Sequence, residues 1–199
     1  MTAHVPWAKR SHAALCNDKI LGPVAKKHGP PTIVRAPDPF VMLIKSIASQ
    51  QLSGKAAQTI YNRLEALADG ITPERLVACD EAGCRAAGLS QSKTTTILSL
   101  AQAAENGLRL DRLKKKSDEE VIELLVQFKG IGVWTAQMFL IFGLGRPDVL
   151  SPGDLGLRKG LQKVYKLAET PSVQESGPMF DRWKPFRSAA CWYLWRANE

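Results

Sequence analysis

A chain of 199 residues can bury one substantial core, and 45% hydrophobic residues set it apart from disordered sequences. A formal net charge of +8 at pH 7 suits a polyanionic partner, although ribosomal and membrane-surface proteins share that balance. No stretch approaches the ~18 consecutive apolar residues of a spanning helix, and no continuous apolar segment marks a secretory leader, so neither a membrane span nor export is expected.

Taken in order, residues 7–16 read as a short helix and the Pro- and Gly-rich stretch 22–37 as connection. Asp38-Pro39 opens a helix, with Asp as cap and Pro in the first turn, and Phe40, Leu43, Ile44 and Ile47 form its apolar stripe. Ser53 is the expected cap of the next helix, whose core face is Ala56, Ala57, Ile60, Leu64 and Leu67. Thr72-Pro73 starts a short helix, 81–87 is one more turn stopped by Gly88, and Ser90 caps a helix over 91–106. A basic link over 110–116 follows.

Ser117-Asp118-Glu119-Glu120 then carries the pattern of a capping box, with acids suited to the positive end of a helix dipole. Val121, Leu124, Leu125 and Phe128 continue at helical spacing. Gly130 and Gly132 stop this helix and are expected to supply backbone angles closed to other residues. An apolar helix over 133–142 comes next, so the segment reads helix, tight hairpin, helix. Beyond the Pro152-Gly153 break, 155–166 is helical, 169–177 a polar loop, and an aromatic-rich helix runs from Lys184-Pro185 to near Asn198. No convincing strand or repeat is found, which gives an all-α fold class and a single domain, 1–199.

The hairpin Lys129-Gly130-Ile131-Gly132-Val133 places several backbone N–H groups at a helix start, where a phosphate can approach. A Gly-x-Gly alone reads first as an ordinary helix–helix turn. Asp154 after Pro-Gly reads as the cap of the following helix or as a functional carboxylate. Cys16, Cys79, Cys84 and Cys191 are scattered and accompany no His pair, so reduced thiols and no metal site are expected.

Residues 129–136 with Pro152-Gly153-Asp154 resemble the helix-hairpin-helix DNA glycosylase superfamily, in its 3-methyladenine DNA glycosylase II (alkylpurine) branch. Residues 46–53 and Trp183-Lys184-Pro185-Phe186-Arg187-Ser188, leading to Trp195, match as well, so the resemblance runs from about Asp38 to Trp195. It implies two helical lobes with an active-site cleft between them, a middle lobe over about 38–143 and a second lobe from 1–37 plus 144–199. The four clustered cysteines of iron–sulfur relatives have no counterpart here, so no cluster and no cofactor are expected.

By the same resemblance, Asp154 is the catalytic carboxylate, stabilising positive charge on the deoxyribose as the N-glycosidic bond breaks. Trp134 stands where bifunctional relatives carry the Lys that forms a Schiff base, which implies a monofunctional enzyme without lyase activity. Trp134 and Trp195 would line the base pocket, where an indole face attracts a cationic alkylated purine. Phe142 is placed with them or in the core. Gln50, Gln51 and Leu52 form the loop that plugs the duplex behind a flipped base, with Ser53 able to touch phosphate. Lys129, Gly130, Ile131, Gly132 and Val133 would grip the backbone, and Lys55 and Lys93 are further candidates. A Gly153 where two adjacent acids are frequent in bacterial relatives is a departure.

The function implied is excision of alkylated purines such as 3-methyladenine and 7-methylguanine from duplex DNA in base excision repair. The alternative is a catalytically weak relative that binds abasic or damaged DNA. The implied partner is double-stranded DNA, the implied state a monomer, and the implied location the bacterial nucleoid or a eukaryotic nucleus.

Overall fold

The computed structural model describes residues 4–52 and 54–199. Ser53, expected both as a helix cap and as a phosphate contact, lies outside the described residues. The chain divides into two compact units. One consists of Met1–Ala36 with Leu140–Glu199, the other of Pro37–Phe139. The described structure is helical: no strand is present among the described residues, and His4 and Val34 form an isolated antiparallel bridge.

The first unit begins with α1 (Ala8–Leu15) and α2 (Gly22–His28). The second of these lies in the Pro- and Gly-rich stretch expected as connection. Pro23 falls in the first turn, where its missing N–H costs nothing. Asp18 Oδ1 accepts the N–H groups of Ile20 and Leu21 at 2.9 and 2.8 Å just before the helix. Lys26, Lys27 and His28 suit the negative end of the dipole, and Gly29, at φ +71°, ends the helix.

The second unit holds α3 (Pro39–Ser49), α4 (Gly54–Leu67), α5 (Pro73–Val77), α6 (Glu81–Ala86), α7 (Gln91–Glu105), a 3-10 turn Leu110–Lys115, α8 (Asp118–Leu125) and α9 (Val133–Met138). Side-chain caps set most of their starts. Asp38 accepts from Phe40 N–H at 2.7 Å, Thr72 and Ser90 cap α5 and α7, and Asp80 accepts from Gly83 N–H at 2.6 Å. Ser117 and Glu120 form the complete capping box. The core is built from Leu43, Ile44 and Ile47 of α3, Leu64 of α4, Leu76 of α5, Ile97 and Leu100 of α7 and Leu125 of α8, all fully buried. On α4 the buried face is Ala57, Tyr61 and Leu64, while Ala56 and Leu67 are exposed, so the expected stripe is turned toward Tyr61.

The helix expected over 133–142 is α-helical only to Met138. Phe139–Gly143 continues as a π-helical turn, a wider winding that often marks functional positions. The first unit then resumes with α10 (Leu155–Tyr165), α11 (Val173–Met179), a 3-10 turn Asp181–Trp183 and α12 (Arg187–Ala197). Helix α11 replaces most of the expected polar loop. Ser172 and Glu175 form a second capping box at its start, the same device as at α8.

Helix α12 is apolar around its circumference and is buried from Ser188 to Leu194, as a helix at the centre of a unit should be. The Tyr193 hydroxyl donates to Gly29 O at 2.9 Å and lies 3.0 Å from His12 Nδ1, which ties α12 to α1 and to the end of α2. Against its other side runs α10, brought close by a glycine. A Cβ on Gly160 would lie 2.5 Å from the carbonyl oxygen of Leu194. In an ordinary helix interior Gly→Ala stabilises by roughly 1 kcal/mol. Here overpacking against backbone reverses the sign, and Gly160→Ala is expected to destabilise the protein by about 1–3 kcal/mol in urea unfolding.

Candidate functional site

Two constellations carry the residues singled out by the sequence, one in each unit. In the second unit α8 ends and the chain turns through Lys129-Gly130-Ile131-Gly132 into α9. Gly130 has φ +97°, closed to most side chains, and a methyl there would run into Thr96 Oγ1 on α7. Gly132 corrects the expectation for the pair. Its φ of −92° and ψ of 172° are ordinary, and a Cβ would meet nothing within 4 Å. What Gly132 provides is an open approach: it is exposed, and no side chain caps α9. The Val133 N–H group, at the first turn of α9, has no carbonyl one turn back within the helix.

The expected contacts at this hairpin separate by burial. Lys129, Gly130, Gly132 and Val133 are exposed. Ile131 is turned inward at 4% exposure, and its N–H donates to Phe128 O at 2.9 Å, so it anchors the turn. The Thr96 hydroxyl lies 2.6 Å from Lys129 O, which holds the hairpin on α7.

The loop after α3 joins the same constellation. The Gln50 amide donates to Gly130 O and to Thr135 Oγ1, both at 3.2 Å. It is therefore engaged with the hairpin, and the exposed amide of the loop is that of Gln51, which sits in the left-handed region at φ +57°. Leu52 is 39% and Trp134 44% exposed, unusual for side chains of this size. Ser46, Ser49, Gln51, Leu52, Trp134 and Thr135, with Gln50, line one recess of about 480 Å³. The Lys55 side chain is exposed. Lys93, a further candidate for the DNA backbone, is half-buried, and its ammonium reaches Ala48 O at 2.9 Å and Gln50 O at 2.7 Å.

In the first unit, Asp154 is the helix cap expected of an Asp after Pro-Gly. Its Oδ1 accepts Leu157 N–H at 2.8 Å and caps α10. The same oxygen accepts Trp195 Nε1–H from α12 at 3.3 Å. Two donors on one oxygen fix the rotation of the carboxyl group, which is 9% exposed. Trp195 in turn stacks on Phe142 from the π turn, centroids 6.0 Å apart and planes inclined by 24°. The π turn is pinned by Ala36 N–H on Phe142 O at 2.9 Å and by Trp7 Nε1–H on Gly145 O at 2.7 Å. Cys191 is buried beside this group, and burial together with the Asp154 charge pushes its thiol up.

Four further residues support this group: Gly156, Gly160, Arg187 and Ser188. A Cβ on Gly156 would stand 3.0 Å from Asp154 Oδ1 and 3.3 Å from the Trp195 ring, so only glycine leaves that pair undisturbed. Gly156 and Gly160 lie four apart, on one face of α10. Arg187, inside a motif that was recognised, clamps the loop leading to Asp154. Its Nε and Nη2 meet the Asp148 carboxylate at 2.8 and 3.0 Å, a bidentate pair. Next to it, Val149 N–H donates to Ser188 Oγ at 3.0 Å. Among the described residues no group of three or more His, Cys, Asp or Glu side chains is placed to hold a metal ion.

A family model described as HhH-GPD superfamily base excision DNA repair protein matches residues 44–185. DNA-3-methyladenine glycosylase 1 of Schizosaccharomyces pombe is 38% identical over 167 residues, covering 81% of this chain and 73% of the relative. Among solved structures, the S. pombe 3-methyladenine DNA glycosylase in complex with abasic DNA superposes with a TM-score of 0.85 at 35% identity, covering 94% of this chain and 95% of that one. A DNA-3-methyladenine glycosidase from Bacillus halodurans gives 0.83 at 37% identity, covering 99% and 91%.

The two glycines of the hairpin are expected to behave differently on substitution. Gly130→Ala combines a positive φ with a clash and should cost at least about 2 kcal/mol in urea unfolding, whereas Gly132→Ala should cost about 1 kcal/mol or less, a helix-cap effect.

Proposed function

The chain belongs to the HhH-GPD superfamily of base excision DNA repair proteins, in its alkylpurine glycosylase branch, and from that premise we infer that it excises alkylated purines from duplex DNA by cleaving their N-glycosidic bonds. The observation that carries the reading is Asp154, a carboxylate with its rotation fixed by a backbone N–H and an indole N–H. As the glycosidic bond lengthens, positive charge grows on the deoxyribose, and a carboxylate already oriented stabilises it without reorganisation. Alkylation at N3 or N7 makes the purine cationic and a good leaving group, so little acid assistance is needed. The aromatic face of Trp195, backed by Phe142, offers cation–π attraction to such a base.

We assign Gln51 and Leu52 to the duplex side of base flipping. Leu52 is apolar and exposed, suited to insert at a vacated base step, and Gln51 presents an amide to the orphaned base. The exposed hairpin at Lys129, Gly130, Gly132 and Val133 is assigned to backbone phosphate. Trp134 supplies no amine, so the reaction is hydrolysis with no Schiff base. No described helix is long and apolar enough to cross a membrane. The reading places the protein on chromosomal DNA, in a nucleoid or a nucleus, as a monomer needing no cofactor.

The test is release of free base from methylated duplex DNA, followed by chromatography. The protein is expected to release 3-methyladenine, to leave an abasic strand cut only by later alkali or heat, and to resist borohydride trapping. Efficient trapping would overturn the hydrolytic assignment. Binding of abasic DNA with no base released would favour the non-enzymatic alternative.

A further inference from the structure

Helix α3 ends at Ser49, and its last turn must find partners for carbonyls that have no N–H ahead of them. Two are satisfied locally: Gln50 N–H donates to Ile47 O at 3.3 Å and Leu52 N–H to Ser49 O at 3.2 Å. The Ala48 and Gln50 carbonyls are reached by the Lys93 ammonium, at 2.9 and 2.7 Å, from a residue more than forty positions away in the chain. Partial burial pulls this lysine below its ordinary pKa. A cation at a helix C-terminus is favoured by the dipole as well as by the hydrogen bonds. Immediately beyond this double contact the chain enters the left-handed region at Gln51, and Leu52 follows, exposed.

We propose that Lys93 is a positioning residue that sets the Gln51–Leu52 tip for insertion into the duplex. The proposal rests on the reading of that loop as the wedge of a base-flipping enzyme. Lys93 is well placed for the task. It lies in the first turn of α7, capped by Ser90, and α7 is fixed in the core by Ile97, Leu100 and Ala101. The same helix holds the hairpin through Thr96, and Gln50 joins loop to hairpin. Without the ammonium, the Gln50 carbonyl loses its charged partner and the left-handed turn at Gln51 loses the contact just before it. The hairpin keeps the Thr96 contact to Lys129 O, so the effect should be confined to the wedge.

Single-turnover base release by Lys93→Met is therefore compared on two substrates, an alkylated purine paired in duplex DNA and the same lesion opposite an abasic analogue, where no partner base has to be displaced. A misplaced wedge should slow the paired substrate at least about tenfold and the unpaired one less than about threefold. Leu52→Ala should show the same selectivity, and Lys93→Arg should restore most of the rate. Should Lys93→Met fail to fold, Lys93→Gln carries the comparison. Equal loss on both substrates, or none on either, overturns the proposal. A second arm follows 2-aminopurine fluorescence opposite an abasic site on protein binding, a readout that needs no catalysis. A wild type releasing no base overturns the glycosylase reading. The fluorescence then decides on Lys93: a response unchanged in Lys93→Met contradicts the positioning role, and a weakened one supports it.

Discussion

The closeness of α12 to α10 is the constraint from which the chemistry of the first unit follows. Backbone at Leu194 approaches Gly160 so nearly that a single added carbon would collide with it. One residue further along α12, Trp195 is delivered beside the N-terminus of α10, where Asp154 waits as the cap. Gly156 keeps the space between them free. A carboxylate at a helix N-terminus is ordinary. One that also holds an indole N–H, with the indole stacked on Phe142, has its direction fixed from two helices. The Arg187–Asp148 pair performs the matching service on the incoming loop, by anchoring it to the start of α12. The Asp154 carboxylate therefore serves both folding and the proposed reaction without conflict, since capping needs only an accepting oxygen and leaves the charge available for the reaction.

In the second unit the organising element is α7. From one helix Thr96 holds the hairpin carbonyl of Lys129 and Lys93 holds the end of α3. The Gln50 amide completes the arrangement between loop and hairpin. Except for the one to the Thr135 hydroxyl, these are hydrogen bonds to backbone carbonyls at helix ends and turns, and satisfying them gives two exposed turns a defined conformation. Leu52, Trp134 and Val133 can then remain exposed, where burial alone would have drawn side chains of that kind inward.

Much of this was legible in the sequence, for reasons that differ from element to element. Helix starts at Asp38, Ser90 and Ser117 were readable because a cap acts on N–H groups two or three residues away. The same signal, Ser172 with Glu175, stood before α11 but lay in a polar stretch with no apolar stripe to draw attention to it. Helix α2 was hidden by its Gly and Pro content. Gly130 answered the expectation of a special backbone angle and Gly132 did not, since a Gly-x-Gly pattern cannot say which glycine is conformational and which is merely small. Gln50 and Lys93, each expected at DNA, make contacts within the fold that the sequence did not signal. Their partners lie more than forty residues away, a separation at which local pattern carries no information.

The central claim is that Asp154 acts on the sugar at the transition state. Asp154→Asn tests it most directly, because an amide oxygen can still cap α10 while the charge is lost. Single-turnover base release and affinity for abasic-site DNA are measured together. A loss of release of about a thousandfold or more, with abasic-DNA affinity changed less than about threefold, is the result predicted for a group that stabilises developing charge. Release close to the wild-type rate would contradict it.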